Sequence, residues 1–135
     1  MKHAIQVITL ISFLIASTLI AGCTTLADAK KAKGTGEKAI YNASFEELWD
    51  AIPNVVTSVG LEFVSANESD HSILAQRGVT AFSYGENVAI FVEVVTEGDK
   101  TSVEVVSRKS MQTNVFAPRW AKPIFEELDK RYDRS

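Results

Sequence analysis

The spacing of apolar residues changes twice along this chain of 135 residues, and this change restricts its fold more than any other feature. Over residues 45–59 the apolar side chains recur at the period of one helix face. Over residues 61–108 they alternate with polar side chains, as in strands that bury one face. The helical spacing returns near the end of the sequence, at Trp120, Ile124, Phe125, Leu128 and Tyr132.

This order predicts one α+β domain over residues 38–135, a length that suits a single core. A strand at residues 38–42 precedes the first helix, and a meander of strands leads to the closing helix. We expect a single antiparallel sheet of four or five strands with two helices packed on one face. The element order is β-α-β-β-(β)-β-β-α, where the bracketed strand is a short one at residues 80–84.

The first helix has recognisable ends. Ser44 and Glu47 have the spacing of a capping box, in which each side chain bonds the other residue's backbone amide. Gly60 suits the position after the last turn. Pro53 lacks an amide hydrogen, so it predicts either a kinked helix or two short helices, the second beginning at Pro53.

The clearest hairpin joins residues 87–96 to residues 100–108 and turns at Gly98-Asp99. A two-residue turn there places Glu93 opposite Glu104, and directly opposed like charges are unfavourable. The other face of that register pairs Val94 with Val103 and Val92 with Val105, as expected of a core. Residues 61–65 and 72–76 form an earlier strand pair around a polar turn.

The N-terminal segment differs from the rest of the chain. Lys2 is the one charged residue before Cys23, and residues 4–20 are mostly apolar. A basic start, an apolar middle and small residues before a cleavage point are typical of a secretory signal. A membrane span of roughly 17 residues is at the short limit of what crosses a bilayer. We therefore expect residues 1–22 to be a signal peptide.

The sequence Leu19-Ile20-Ala21-Gly22-Cys23 resembles the lipobox of bacterial lipoproteins at every position. The resemblance implies that the Cys23 thiol is acylated and that cleavage makes Cys23 the new N-terminus. Several acyl chains together bind a bilayer stably, which one chain does not. Thr24 stands where the family's inner-membrane retention signal has Asp. In a Gram-negative cell this implies an outer-membrane anchor with the domain in the periplasm, and otherwise a cell-membrane lipoprotein.

Residues 23–37 are expected to be the lipidated N-terminus and a flexible tether. The run is rich in small and charged residues, contains Gly34 and Gly36, and has no aromatic side chain. Such a composition buries too little apolar area to offset the entropy of ordering.

The segments "SFEELWDAI" and "VGLEFVSA", followed by a valine-rich hairpin and a closing helix, resemble a group of small bacterial lipoproteins of unknown function. The layout of residues 38–133 is also similar to the modules of the C-subunit lipoprotein of the outer-membrane barrel-assembly machinery. Those families have no catalytic residues to carry over. The resemblance therefore implies a binding or scaffolding role.

Composition and motifs argue against several other functions. A net charge of −3 does not suit nucleic-acid binding, and a single cysteine does not suit a zinc cluster. His71 stands between Asp70 and Ser72, but adjacent strand residues point to opposite faces and cannot form a relay. We expect no catalytic residues, no metal and no cofactor.

Two candidate contact surfaces remain. On the face of Glu93 and Glu104 the hairpin also carries Phe91 and Val106, which is unusually apolar for a solvated surface. One interpretation is a partner or ligand surface whose two acids bind a cation or a basic side chain. The other is a slipped register, or relief of the charge by Lys or Arg on a neighbouring strand. Residues 110–117, with Met111 and Phe116, are either an exposed contact loop or a segment tucked under the last helix.

The sequence thus predicts a lipid-anchored envelope protein that is a non-catalytic accessory or scaffold for another envelope protein. The alternative is a small periplasmic module that holds an apolar or cationic ligand between sheet and helices.

Overall fold

The computed structural model describes residues 25–80, 85–95, 99–110 and 119–135. The elements in these ranges are α1 (Leu26–Lys31), β1 (Glu37–Tyr41), α2 (Phe45–Ser58), β2 (Glu62–Asn67), β3 (Ser72–Arg77), β4 (Glu86–Val95), β5 (Lys100–Lys109) and α3 (Ala121–Leu128). The strands form one antiparallel sheet in the order β1-β5-β4-β3-β2. This confirms the predicted α+β class.

α2 is one continuous helix that includes Pro53, so the two-helix alternative is not observed. It begins with the predicted capping box. The Ser44 amide donates to Glu47 Oε2 at 2.9 Å, and the Glu47 amide donates to Ser44 Oγ at 3.2 Å. It ends in a Schellman motif, where Gly60 has φ +93° and the Leu61 amide donates to the Val56 carbonyl at 2.9 Å.

The main core lies between the sheet and the α2–α3 pair, which share one face as predicted. We call the sheet face that α2 and α3 cover the helical face. The largest side chains of this core have no solvent exposure. They are Tyr41, Leu48, Ile52, Val55, Val56, Ile73, Val88, Ile90, Val92, Val103, Ile124 and Leu128. Trp120 is also buried, so the closing helix contributes an aromatic anchor at its start.

The register of the β4–β5 hairpin differs from the predicted one by two residues. Glu93 lies opposite Ser102, and Glu104 lies opposite Phe91. The core pairs are likewise shifted, since Val92 faces Val103 and Ile90 faces Val105. Val95 pairs with Lys100, so the loop is longer than the two-residue turn that Gly98-Asp99 suggested. A shift of two residues keeps every side chain on its predicted face.

The two edge strands of the sheet, β1 and β2, differ in what lies beside them. The C-terminus lies along β1: Ser135 N donates to the Ile40 carbonyl, and Asn42 N to the Asp133 carbonyl, both at 2.9 Å. The outer side of β2 has no strand partner among the described residues. All its residues are exposed, including Phe63 and Val64 at 40% each.

A hydrogen-bonded triad fixes the C-terminus at its edge. Arg134 donates to both carboxylate oxygens of Asp129, at 2.7 and 2.9 Å, and the Tyr41 hydroxyl donates to Asp129 Oδ1 at 2.9 Å. The Arg134 hydrogen bond lowers the pKa of Asp129. Burial, followed by the bond to Asp129, raises the pKa of Tyr41.

α1 was not predicted. Where the sequence led us to expect a flexible tether, residues 26–31 form a helix that packs on the sheet face opposite α2 and α3. The domain therefore has three layers rather than two. Within the described ranges, none of the helices combines the length and apolarity needed to cross a membrane.

Candidate functional site

The sheet face beneath α1, which we call the α1 face, carries the acidic residues singled out by the sequence. Ala29 of α1 is fully buried against a small apolar cluster formed by Ala89, Phe91 and Val106. Thr25 and Asp28 form a capping box at the start of the helix, with the Thr25 amide donating to Asp28 Oδ2 at 2.8 Å. The helix has only six residues, too few to be stable without tertiary contacts.

Glu104 is the centre of the polar contacts on this face. Its side chain is only 4% exposed, and its Oε1 accepts from the Gly34 amide at 2.7 Å and the Gly36 amide at 2.8 Å. Lys38 Nζ lies 3.6 Å from Oε2. A buried carboxylate is costly unless it is paired and hydrogen-bonded, and here both conditions are met. Glu104 thereby joins β5 to the turn that follows α1.

The backbone geometry of that turn requires glycine at both Gly34 and Gly36. Gly34 has φ +90°, a backbone conformation that other residues rarely adopt. A Cβ atom on Gly36 would lie 2.4 Å from the Val105 carbonyl oxygen and 2.7 Å from its carbon, so only glycine allows this close approach. These glycines do not loosen a tether. They allow the backbone to bring two amides to one carboxylate.

Two further acids form salt bridges with lysines in α1 or just after it. Lys33 forms a salt bridge with Glu93, and its Nζ lies 5.2 Å from the centroid of the Phe91 ring. The hydrogen bond from Lys33 lowers the pKa of Glu93. Lys30 forms a salt bridge with Asp70, and the hydrogen bond from Lys30 lowers the pKa of that carboxyl.

The predicted surface residues thus share one face, but α1 covers most of it. Phe91 and Val106 are 2% exposed and Glu104 is 3% exposed, whereas the side chain of Glu93 is 47% exposed. The cations that meet the two acids come from the chain itself. The register is slipped, and Lys38 on the neighbouring strand β1 relieves Glu104 as the second interpretation expects. Lys33, which meets Glu93, lies in the turn after α1 and not on a strand. Met111 and Phe116 lie outside the described residues, as do Cys23 and the other lipobox residues.

The sequence contained two signals for this site that composition obscured. The Thr25-x-x-Asp28 spacing is a capping box inside the expected tether, and Gly34-Thr35-Gly36 is a turn with two closely spaced glycines. Neither signal indicates which distant residue binds the glycine amides. That partner is Glu104, about 70 residues further along the chain.

His71 does not join a catalytic group with its neighbours. It is exposed, has φ 53°, and its ring lies 4.9 Å from the Phe45 ring. The neighbouring Ser72 hydroxyl donates to Asp70, and the His71 carbonyl accepts from Val92 N at 3.1 Å. These contacts fix a hairpin end. Within the described parts of the chain, no three His, Cys, Asp or Glu side chains converge as a metal site requires.

Among the depressions lined entirely by described residues, two are shallow. One of about 160 Å³ lies between the start of α2 and the β4–β5 hairpin, lined by Phe45, Glu46 and Val94 among others. The other, of about 130 Å³, lies near Gly36 and Arg119. Both are below the roughly 300 Å³ at which small-molecule pockets begin.

Comparison of the chain with models of known protein families gives no match, and none of the curated proteins matches it.

Proposed function

We propose that this protein is a bacterial lipoprotein of the cell envelope, attached to a membrane through acylated Cys23. The lipobox Leu19–Cys23 carries this proposal, because a thiol next to small residues after an apolar stretch is what lipoprotein acylation and cleavage use. Thr24 in place of Asp favours the outer membrane of a Gram-negative host, with the domain in the periplasm.

We further propose that the anchored domain is a non-catalytic contact module for another envelope protein. The packing of the helical face supports this over the ligand-binding alternative, since Leu48, Ile52 and Ile90 fill the space between sheet and helices without exposure.

The β2 edge of the sheet, which has no strand partner within the described ranges, is the surface best suited to such a contact. β2 presents backbone groups together with half-exposed Phe63 and Val64, and an extended segment of a partner can add to an edge strand through backbone hydrogen bonds. The bulge at Val64 limits indiscriminate pairing along this strand.

Anchoring is tested by expressing the full chain and its Cys23→Ala variant with a radiolabelled fatty acid. We expect the wild-type protein to be labelled, shortened and membrane-bound, and the variant to be unlabelled and unprocessed. Thr24→Asp serves as a matched variant that keeps the thiol: it is expected to be labelled but to fractionate with the inner membrane. Labelling of Cys23→Ala would contradict the anchoring proposal.

The contact role is tested separately in intact cells. A photo-crosslinking residue at Val64 is compared with one at Asn54, an exposed position on α2. We expect adducts with a second envelope protein at Val64 and few at Asn54. If both positions give only self-adducts, the scaffold proposal is wrong, whatever the result for anchoring.

A further inference from the structure

The distance between the acylation site and the folded domain is short. Thr25 is already part of the fold, because its amide and hydroxyl both donate to Asp28 and its carbonyl accepts from Ala29 N at 3.1 Å. It lies two positions after Cys23, with Thr24 between them. An extended chain spans at most about 3.6 Å per residue, so the acylated residue lies within roughly 7 Å of the start of α1.

α1 is not a flexible linker between the acylated residue and the rest of the domain. It is held to the sheet at several points: by burial of Ala29, by the bonds of Gly34 and Gly36 to Glu104, and by the salt bridges of Lys30 and Lys33. A tether of the same length would let the domain move freely over the bilayer. A docked helix holds the domain directly on the bilayer.

The exposed charges on the α1 face and on α2 differ in sign. On the α1 face Lys31 and Arg108 are exposed cations, while the acids there, Asp70, Glu93 and Glu104, each pair with a lysine. The opposite layer presents exposed acids on α2, Glu46, Glu47 and Asp50, whereas Glu126 and Glu127 of α3 form salt bridges with Lys122 and Lys130. Anionic phospholipid headgroups attract the α1 face and repel α2.

We infer that the α1 face rests against the phospholipid headgroups, with α2 and α3 directed away from the membrane. This inference rests on the proposed acylation of Cys23 and adds an orientation to it. It makes the bilayer the occupant of the surface around Glu93, and it leaves the β2 edge to a protein partner.

The chain's cysteine usage makes the orientation measurable. Cys23 is the sole cysteine, so in the acylated protein an introduced cysteine is the one reactive thiol. Lys31→Cys places a fluorophore on α1, and Asn54→Cys places one on the far side of α2; both positions are exposed. The full acylated protein is reconstituted in vesicles of phosphatidylethanolamine and phosphatidylglycerol that contain headgroup spin-labelled lipid.

We expect about threefold stronger quenching at position 31 than at position 54, because two layer spacings of roughly 10 Å separate the two labels. Arg108→Cys provides a second label on the α1 face and should match Lys31→Cys. Equal quenching on both layers, or stronger quenching at position 54, would overturn the orientation.

Sedimentation of the same vesicles separates the two proposals. If the wild-type protein is not acylated and stays in the supernatant, the anchoring proposal fails and the orientation fails with it. If the protein sediments but quenching is uniform, anchoring stands and the orientation alone is wrong. Cys23→Ala, which should not sediment, is the control for adsorption without the lipid.

Discussion

The two faces of the sheet are covered in different ways. The helical face buries a broad set of large apolar side chains beneath two helices. The apolar cluster buried on the α1 face is small, Ala29, Ala89, Phe91 and Val106, and hydrogen bonds and salt bridges add to it in holding a six-residue helix there. Apolar burial therefore accounts for the fold, whereas specific polar contacts place the N-terminal segment on it.

This difference has a functional meaning under the proposed anchoring. The helical face can be repacked without moving the N-terminus, whereas each contact of α1 sets where the lipid is attached relative to the domain. Variants of the two faces should therefore separate global stability from the docking of α1.

The largest effect is expected in the main core. Ile52→Ala removes a fully buried side chain from α2 and leaves a cavity, so we expect a loss of about 2–5 kcal/mol in the free energy of unfolding. Urea denaturation measures it. Asn54→Ala, two residues along on the exposed side of the same helix, should change stability by less than about 0.5 kcal/mol. Equal losses in both variants would mean that this core is not where stability resides.

The next effect concerns the turn after α1. Gly36→Ala adds a methyl group 2.4 Å from the Val105 carbonyl oxygen, and backbone cannot yield as a flexible side chain does. We expect a loss of about 1–3 kcal/mol, together with weaker protection of the α1 amides from hydrogen exchange. Gly78→Ala is the matched control, because a Cβ there meets nothing within 4 Å. The docking account predicts that only the Gly36 variant loosens α1.

Removal of the buried carboxylate should act at the same place. Glu104→Ala leaves the Gly34 and Gly36 amides without their acceptor, at a cost of about 1–3 kcal/mol. Glu104→Gln keeps an oxygen in reach of both amides and should cost less. Denaturation curves and amide exchange of the two variants distinguish them. If Gln were as harmful as Ala, the acceptor oxygen would not be the important group.

The smallest effect is a dependence on pH. Lysine contacts lower the pKa of Glu93 and of Asp70 in the folded state. Groups with a lowered folded pKa add stability above their unfolded pKa, and that stability is lost as the pH falls through the folded value. We therefore expect α1 to loosen below about pH 4 while the helical face stays folded. Amide exchange of α1 and α2, followed against pH, tests this; simultaneous loss of both would contradict it.

Local patterns in the sequence predicted the elements whose causes are local. Ser44 and Glu47 mark the start of α2, Gly60 marks its end, and alternation gives each strand residue its face. The hairpin register was wrong by two residues because the position of Gly98-Asp99 does not determine the loop length, and a shift of two leaves the alternation unchanged.

The docked helix could not be predicted from local sequence because its causes are distant. Lys33 and Glu93 are 60 residues apart, and Gly34 and Glu104 are 70 residues apart. Composition alone favours a tether there, since the segment has few apolar residues. Its ordering depends on a few contacts with β4 and β5 that arise only once the sheet has formed.

The most direct test of this account is amide hydrogen exchange of the mature acylated protein in lipid nanodiscs, observed by NMR at Ala29, Gly34 and Gly36. The Ala29 amide donates to the Thr25 carbonyl, and the two glycine amides donate to Glu104. If α1 is docked, all three exchange at least about tenfold more slowly than in an unstructured peptide, as hydrogen-bonded amides do. Exchange at the unstructured rate would show that residues 25–36 are a free tether, and would contradict both the docking and the orientation drawn from it.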